Sequence, residues 1–188
     1  FHGEPVGLAM DYLKIALAEI GAISERRIFH LTDEKMNAGL PPMLVDDHES
    51  AGLNSGLMMP QYTAASLVLE NQALANPNSI HSLPTSGGKE DHNANAMTAA
   101  RNAFQLAHNV SHILAIELFT ASQALDIRIH EIPNSHMGVG VLKAHAKIRD
   151  FVAYHASDTW WGPQIEAVKQ IVEDGKLTNI IGNLVDAA

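Results

Sequence analysis

Cysteine is absent from the 188 residues. No disulfide framework and no thiol nucleophile can therefore exist, which suits a cytoplasmic protein. Long apolar runs are missing as well, since none approaches the roughly 18–20 residues of a membrane span. Positive charge is scarce: 12 Lys and Arg stand against 21 Asp and Glu, a formal net charge of −9. That balance argues against nucleic acid or an anionic membrane as partner. Aromatic residues make up only 5 %, strand signals are few, and no internal repeat or low-complexity tract is present. The chain also lacks an initiator Met and any signal-peptide pattern, opening instead on Phe1-His2-Gly3. The expectation is that part of the protein precedes it.

Helix is what remains. From Lys89 to Arg128 there is neither Pro nor Gly, and the run predicts one long helix over about 90–128. One stripe runs Met97, Ala100, Phe104, Ala107, Ser111, Leu114, Leu118, Ala121 and Leu125, in steps of three and four. A second set, Leu106, Val110, Ile113 and Ile116, lies beside it. Between Asn93 and Leu125 only Arg101 and Glu117 carry formal charge. A helix so apolar is buried among others, and it reads as the central rod of a bundle. The fold class is accordingly all-α, and the length fits one domain, 1–188.

The rest of the chain agrees. Pro5 suits a first helical turn, and Val6, Met10, Leu13, Leu17, Ile20 and Ile23 form a stripe in a helix reaching about Phe29. Pro41-Pro42 and the Gly-containing stretch Asp46–Gly56 predict loop. Pro60 opens a second helix to about Ala75, with Ala64, Ala65, Val68, Leu69 and Ala73 on its face. Beyond the loop Pro133–Gly140, shorter helices are predicted at about Val141–His155, Pro163–Asp174 and Leu177–Val185.

Several residues are candidates for chemistry. His108 and His112 stand at i,i+4, the spacing of two metal ligands on one helix face. The string His-Asn-Val-Ser-His lacks the carboxylate of a dedicated site, so no metal is assigned and hydrogen-bonded interface histidines are expected. His30, His130, His136 and His145 read as surface or interface residues. Glu117, alone in an apolar run, reads as a structural ion pair with an Arg of a neighbouring helix or subunit. Trp160-Trp161 fits aromatic packing at a helix start or a pocket wall, and Met58-Met59 reads as core filling. Glu90, Asp91 and His92 fall just before or inside the first turn of the long helix. A carboxylate there can serve as a general base or anchor a cationic group. Equally, it can cap the helix. On the residues alone the two stand level.

Gly52-Leu53-Asn54-Ser55-Gly56-Leu57-Met58-Met59-Pro60-Gln61-Tyr62-Thr63-Ala64-Ala65 resembles a signature of the aromatic amino acid lyases, the family of histidine and phenylalanine ammonia-lyases. Ser82-Leu83-Pro84-Thr85-Ser86, Glu90-Asp91-His92, Ala115-Ile116-Glu117-Leu118 and Gln123-Ala124-Leu125-Asp126 resemble it too. So do Phe1-His2-Gly3-Glu4-Pro5-Val6 and Ser24-Glu25-Arg26-Arg27, in the family's order. The resemblance covers nearly the whole chain and weakens beyond about Pro133.

The resemblance implies a helical homotetramer with a central bundle of long helices. It also implies elimination of ammonia from an aromatic amino acid, with 4-methylidene-imidazol-5-one as electrophile, formed from an Ala-Ser-Gly tripeptide. No Ala-Ser-Gly occurs here; Thr85-Ser86-Gly87 and Ala156-Ser157-Asp158 are partial echoes. The chain thus resembles the family's C-terminal part, and the missing N-terminal part of the same protein is the expected partner. Two substrate-binding positions carry over by resemblance: Phe1, the aromatic near substrate and prosthetic group, and Glu90, the carboxylate contacting the substrate side chain or amine. Glu90 is also the catalytic candidate. Lys89 and Asn93-Ala94-Asn95 depart from the more common Gln-Glu-Asp-His-Val-Ser-Met.

Histidine, giving urocanate, is the expected substrate, because Glu90 can pair with an imidazole and the long C-terminal insertion of plant and fungal phenylalanine enzymes is absent. A phenylalanine or tyrosine ammonia-lyase or an aminomutase is the alternative, and the isolated chain is expected to be an inert helical assembly module. The fumarase and aspartase group is a weaker resemblance, its Gly-Ser-Ser-x-Met-Pro loop only loosely echoed by Asn54–Pro60.

Overall fold

Gly3, at φ +80°, turns the chain into its first helix, and its carbonyl accepts hydrogen bonds from the amides of Val6 and Gly7. The positive φ costs little without a Cβ. The computed structural model describes residues 2–47, 49, 52–133 and 136–185, with the side chains of 181–185 excepted. Phe1, one of the two expected substrate-binding residues, lies outside the described residues.

Among the described residues the α-helices are, in order, α1 Glu4–Thr32, α2 Met58–Leu74, α3 Ala96–Glu131, α4 Val139–Arg149, α5 Trp161–Glu173 and α6 Lys176–Val185. Single 3₁₀ turns lie at Pro42–Leu44 and Ser86–Gly88. Among the described residues there is no strand, only an isolated bridge between Thr85 and Glu90. The all-α expectation therefore holds. The long helix starts at Ala96 rather than about 90, so Glu90, Asp91 and His92 precede it and none belongs to its first turn.

By their internal contacts the residues form two compact units, and the division falls within each of the three long helices. The first comprises Phe1–Ile23 and Ala65–Val110. Its α1 residues bury an unexpected face: Gly7, Asp11, Lys14 and Gly21 are inside, while Val6, Leu13, Ile20 and Ile23 of the apolar stripe are exposed. Gly7 is required by proximity, because a Cβ there would stand 2.9 Å from the Ala94 carbonyl oxygen. The α3 residues of this unit bury Ala99, Ala103, Leu106 and Val110. Met97 and Phe104 of the first stripe are 74 % and 79 % exposed. Of the two apolar sets read from the sequence, the second is thus the inward one in this unit, and the first faces outward. Asn71 of α2 is also buried, where its side-chain oxygen accepts from Asn109 Nδ2 at 3.0 Å.

The second unit, Ser24–Ala64 and Ser111–Ala188, holds the apolar core. Leu44, Leu57, Phe119, Ile127, Ile148 and Val168 meet there, with Trp161 tilted against Phe119 at 5.6 Å between ring centroids. Met59 is exposed, contrary to its expected burial, as is Leu69 of the first unit. Around the start of α2, the Asp158 carboxylate accepts the amides of Ser55 and Gly56 at 2.7 and 2.6 Å, while Asn54 Oδ1 accepts the Asp158 amide at 3.0 Å. A side chain at Gly56 would collide with the Met43 carbonyl. α6 packs on α4 and α5.

Candidate active site

The connection from α2 to α3 carries Glu90, and its geometry is set from the base upward. Lys14, with 0 % of its side chain exposed, donates from Nζ to the Asn76 carbonyl at 2.8 Å and to Asn78 Oδ1 at 2.7 Å. Its third partner is Asp11 Oδ1 at 2.7 Å, and the other Asp11 oxygen accepts the Ser79 amide at 2.8 Å. Burial works against charge on Asp11, yet the hydrogen bonds from Lys14 and Ser79 outweigh it and hold the carboxyl well below the usual carboxylate range. The buried ammonium thus has two hydrogen-bond acceptors and a carboxylate counter-ion, and such compensation is the condition for burying an ion pair. Asn102 of α3 adds a bond to Asn78 Oδ1 at 3.0 Å.

Two asparagines then shape the connection. Asn95, at φ +50°, donates its side-chain amide to the carbonyls of Asn78 and His81, at 3.2 and 2.7 Å, and its own carbonyl accepts the Ala99 amide as α3 begins. The helix start is therefore made at Asn95. Asp91, expected as a cap, is exposed and four positions earlier. Asn93 donates Nδ2 to the Leu83 carbonyl at 2.5 Å, and its amide donates to Ser82 Oγ at 2.8 Å. Asn93 and Asn95, two of the positions where this chain departs from the common pattern, thus staple the loop.

Between the staples sits a tight turn. The Thr85 amide donates to the Glu90 carbonyl at 2.8 Å, and the Glu90 amide returns a bond at 3.3 Å. Ser86 and Gly87 take positive φ to close it. Glu90 stands exposed at this bridge, and among the described residues its carboxylate makes no hydrogen bond or ion pair. Two residues on, the His92 ring stacks on His2, with centroids 5.3 Å apart and planes 11° off parallel. His92 thereby joins Glu90's segment to the residue next to Phe1.

Elsewhere the expected residues have structural partners. Glu117 takes both donors of a guanidinium, Nε and, at 2.8 Å, Nη2 of Arg27, and Ser24 Oγ donates to it at 2.6 Å. The hydrogen bond with Glu117 raises the Arg27 pKa. His112 Nε2 lies 2.8 Å from Glu166 Oε1, beside a groove of about 580 Å³ bordered by Met59, Trp160 and Trp161. His145, expected at the surface or in an interface, is part-buried at 2.9 Å from Asp126, which Arg149 also contacts at 2.7 Å. Burial, followed by its hydrogen bond to Asp46, pushes the Tyr154 hydroxyl far above the usual phenol range.

Sequence reasoning missed Asp11 and Lys14. The signal was present as Asp-x-x-Lys, an opposite-charge pair at i,i+3 within an otherwise apolar helix. Periodicity of apolar residues draws attention away from such a pair.

The profile of the aromatic amino acid lyases matches residues 1–150. This chain belongs to the aromatic amino acid lyase family. A histidine ammonia-lyase of Natranaerobius thermophilus is 43 % identical over 179 residues, which is 95 % of this chain and 34 % of that protein. Among solved structures, histidine ammonia-lyase from Trypanosoma cruzi superposes with TM-score 0.89 at 33 % identity, covering 97 % of this chain and 34 % of that one. Tyrosine aminomutase from Streptomyces globisporus gives TM-score 0.87 at 31 % identity, over 97 % of this chain and 34 % of its own. The chain thus spans about a third of the length of these lyase-family relatives.

Proposed function

We propose that this chain is the C-terminal portion of an ammonia-lyase that converts histidine to urocanate, with Glu90 and Phe1 in the substrate pocket. The observation that carries the reading is the 43 % identity to a histidine ammonia-lyase sustained over 95 % of the chain. The geometry supports Glu90 as a contact for the substrate imidazole or amine, since its carboxylate is exposed on a braced turn with no partner of its own among the described residues. Phe1, outside the described residues, is proposed for the pocket on the resemblance of Phe1-His2-Gly3-Glu4-Pro5-Val6 to the family's pattern.

The family's prosthetic group does not fit the residues present. It needs Ala-Ser-Gly, which the sequence lacks. The partial echo Thr85-Ser86-Gly87 is an exposed turn committed to the bridge at Glu90. In this reading the electrophile comes from another part of a longer protein, and no step is assigned to it here. The exposed apolar faces of α1 and α3 support assembly as a homotetramer, and the absence of cysteine supports a cytoplasmic location. No helix among the described residues is long and apolar enough to cross a membrane.

A second reading is an aminomutase, favoured by the likeness to a tyrosine aminomutase at TM-score 0.87. The two are separated by expressing the longer reading frame and supplying histidine, phenylalanine and tyrosine in turn. Urocanate from histidine as the fastest product supports the proposal. A β-amino acid from tyrosine or phenylalanine, with histidine untouched, overturns it in favour of the second reading.

A further inference from the structure

The anchors of the Glu90 turn divide into two kinds. The Thr85–Glu90 bridge and the Asn93 staples join residues within 82–93, so they shape the turn without fixing it to the rest of the unit. Lys14, Asp11 and Asn95 fix the base, at residues 76–81. Contact on the Glu90 side of the turn comes from His2. Its Nε2 lies 2.8 Å from the His92 carbonyl oxygen. A carbonyl only accepts, so His2 is the donor and its tautomer must carry the proton on Nε2.

Glu4 completes the arrangement from the first turn of α1. Its Oε2 lies 3.7 Å from His92 Nε2 and 3.9 Å from His2 Nδ1, at the edge of both stacked rings. That oxygen is buried and makes no hydrogen bond among the described residues. A carboxylate oxygen withdrawn from water beside two imidazoles favours keeping both rings in place.

We propose that His2 is a positioning residue: with His92 and Glu4 it forms a clasp that holds the Glu90 carboxylate in register with the start of α1. This rests on the reading that Glu90 contacts substrate. One backbone hydrogen bond, two stacked rings and one carboxylate connect the two segments that would face the same molecule. Because His92 is two residues from Glu90, a shift of the clasp moves the carboxylate directly. A displacement of about 1 Å in a positioning group is enough to cost on the order of 10²-fold in rate.

The test uses the full-length protein with His2→Leu, His2→Gln, Glu90→Gln and the double variant His2→Leu/Glu90→Gln. His2→Leu removes the donor and should lower kcat/KM by about 10-fold or more. His2→Gln keeps an N–H at similar reach and should restore most of that loss. In the Glu90→Gln background the further effect of His2→Leu should shrink to about 2-fold or less, since residues acting through one another are not additive. A purely structural role would not produce that dependence, and thermal melting checks that each variant is folded. If Glu90→Gln turns over like the wild type, the reading of Glu90 itself fails. If Glu90→Gln is slow but His2→Leu is not, or the two losses multiply independently, or His2→Gln is as slow as His2→Leu, the clasp is overturned.

Discussion

Lys14 and Asp11 face each other where no water reaches, and the consequence can be measured. Replacing Lys14 by Met leaves the Asp11 carboxylate without its counter-ion, and breaking a buried pair in this way costs about 3–5 kcal/mol. Chemical denaturation of Lys14→Met against wild type reads that loss directly. Asp11 also predicts a pH dependence. Its folded pKa is depressed below the unfolded value of about 3.9, so its contribution is fully present above that range and is lost as pH falls toward the folded value. Asp11→Asn should flatten the acid side of the stability profile below about pH 4.

At the turn itself, Glu90→Ala in the full-length protein should lower turnover by about 10²-fold with little change in melting, because Glu90 is exposed. Asn95→Ala should cost about 1–3 kcal/mol through loss of the hydrogen bonds its side chain donates to Asn78 and His81, whereas Asp91→Ala should stay within about 0.5 kcal/mol. A larger loss at Asp91 than at Asn95 would return the capping role to Asp91.

The elements of the first unit have two sides, and its own packing uses the less apolar one. In the first unit α1 turns Gly7, Asp11 and Lys14 inward and leaves Val6, Leu13 and Ile20 to solvent. The α3 residues there bury Ala99, Ala103 and Leu106 and leave Met97 and Phe104 outside. In the proposed homotetramer these outward stripes are interface. Ile20→Glu should then leave stability of the isolated chain within about 0.5 kcal/mol while breaking assembly of the full-length protein. Sedimentation of both forms reads the two effects apart. The loop before α2 is different in kind, because Gly56 is held against Met43 with both its amide and that of Ser55 on Asp158.

In the first unit Val6, Leu13, Ile20, Met97 and Phe104 are all exposed, and exposed large apolar residues in number mark interaction sites. The isolated 188-residue chain is expected to self-associate, and a stable monomer at micromolar concentration would sink that expectation. It is also expected to form no urocanate from histidine and no cinnamate from phenylalanine, because none of its residues supplies the electrophile. A verified preparation of this chain showing turnover would overturn the division of labour proposed here.

Periodicity and punctuation in the sequence determined the helices: Pro5, Pro60 and the Pro- and Gly-free run before Arg128 mark α1, α2 and α3 through local backbone sterics, which need no tertiary partner. Family membership was legible for a similar reason, since Asn54-Ser55-Gly56 and Glu90-Asp91-His92 are short strings whose order survives in one dimension. Glu117 as an ion-pair residue was legible too, because a lone charge in an apolar helix needs a counter-ion. Tertiary structure alone decided which face of each helix turns inward. Two stripes on α3 are apolar enough to bury, and choosing between them depends on what the rest of the unit presents. It also decided that α3 starts only after Asn95, since that residue is held by contacts to Asn78 and His81 of the preceding connection. The pairing of His2 with His92, 90 residues apart, belongs to the same class: packing brings the two imidazoles together, and nothing in either residue's neighbourhood specifies it.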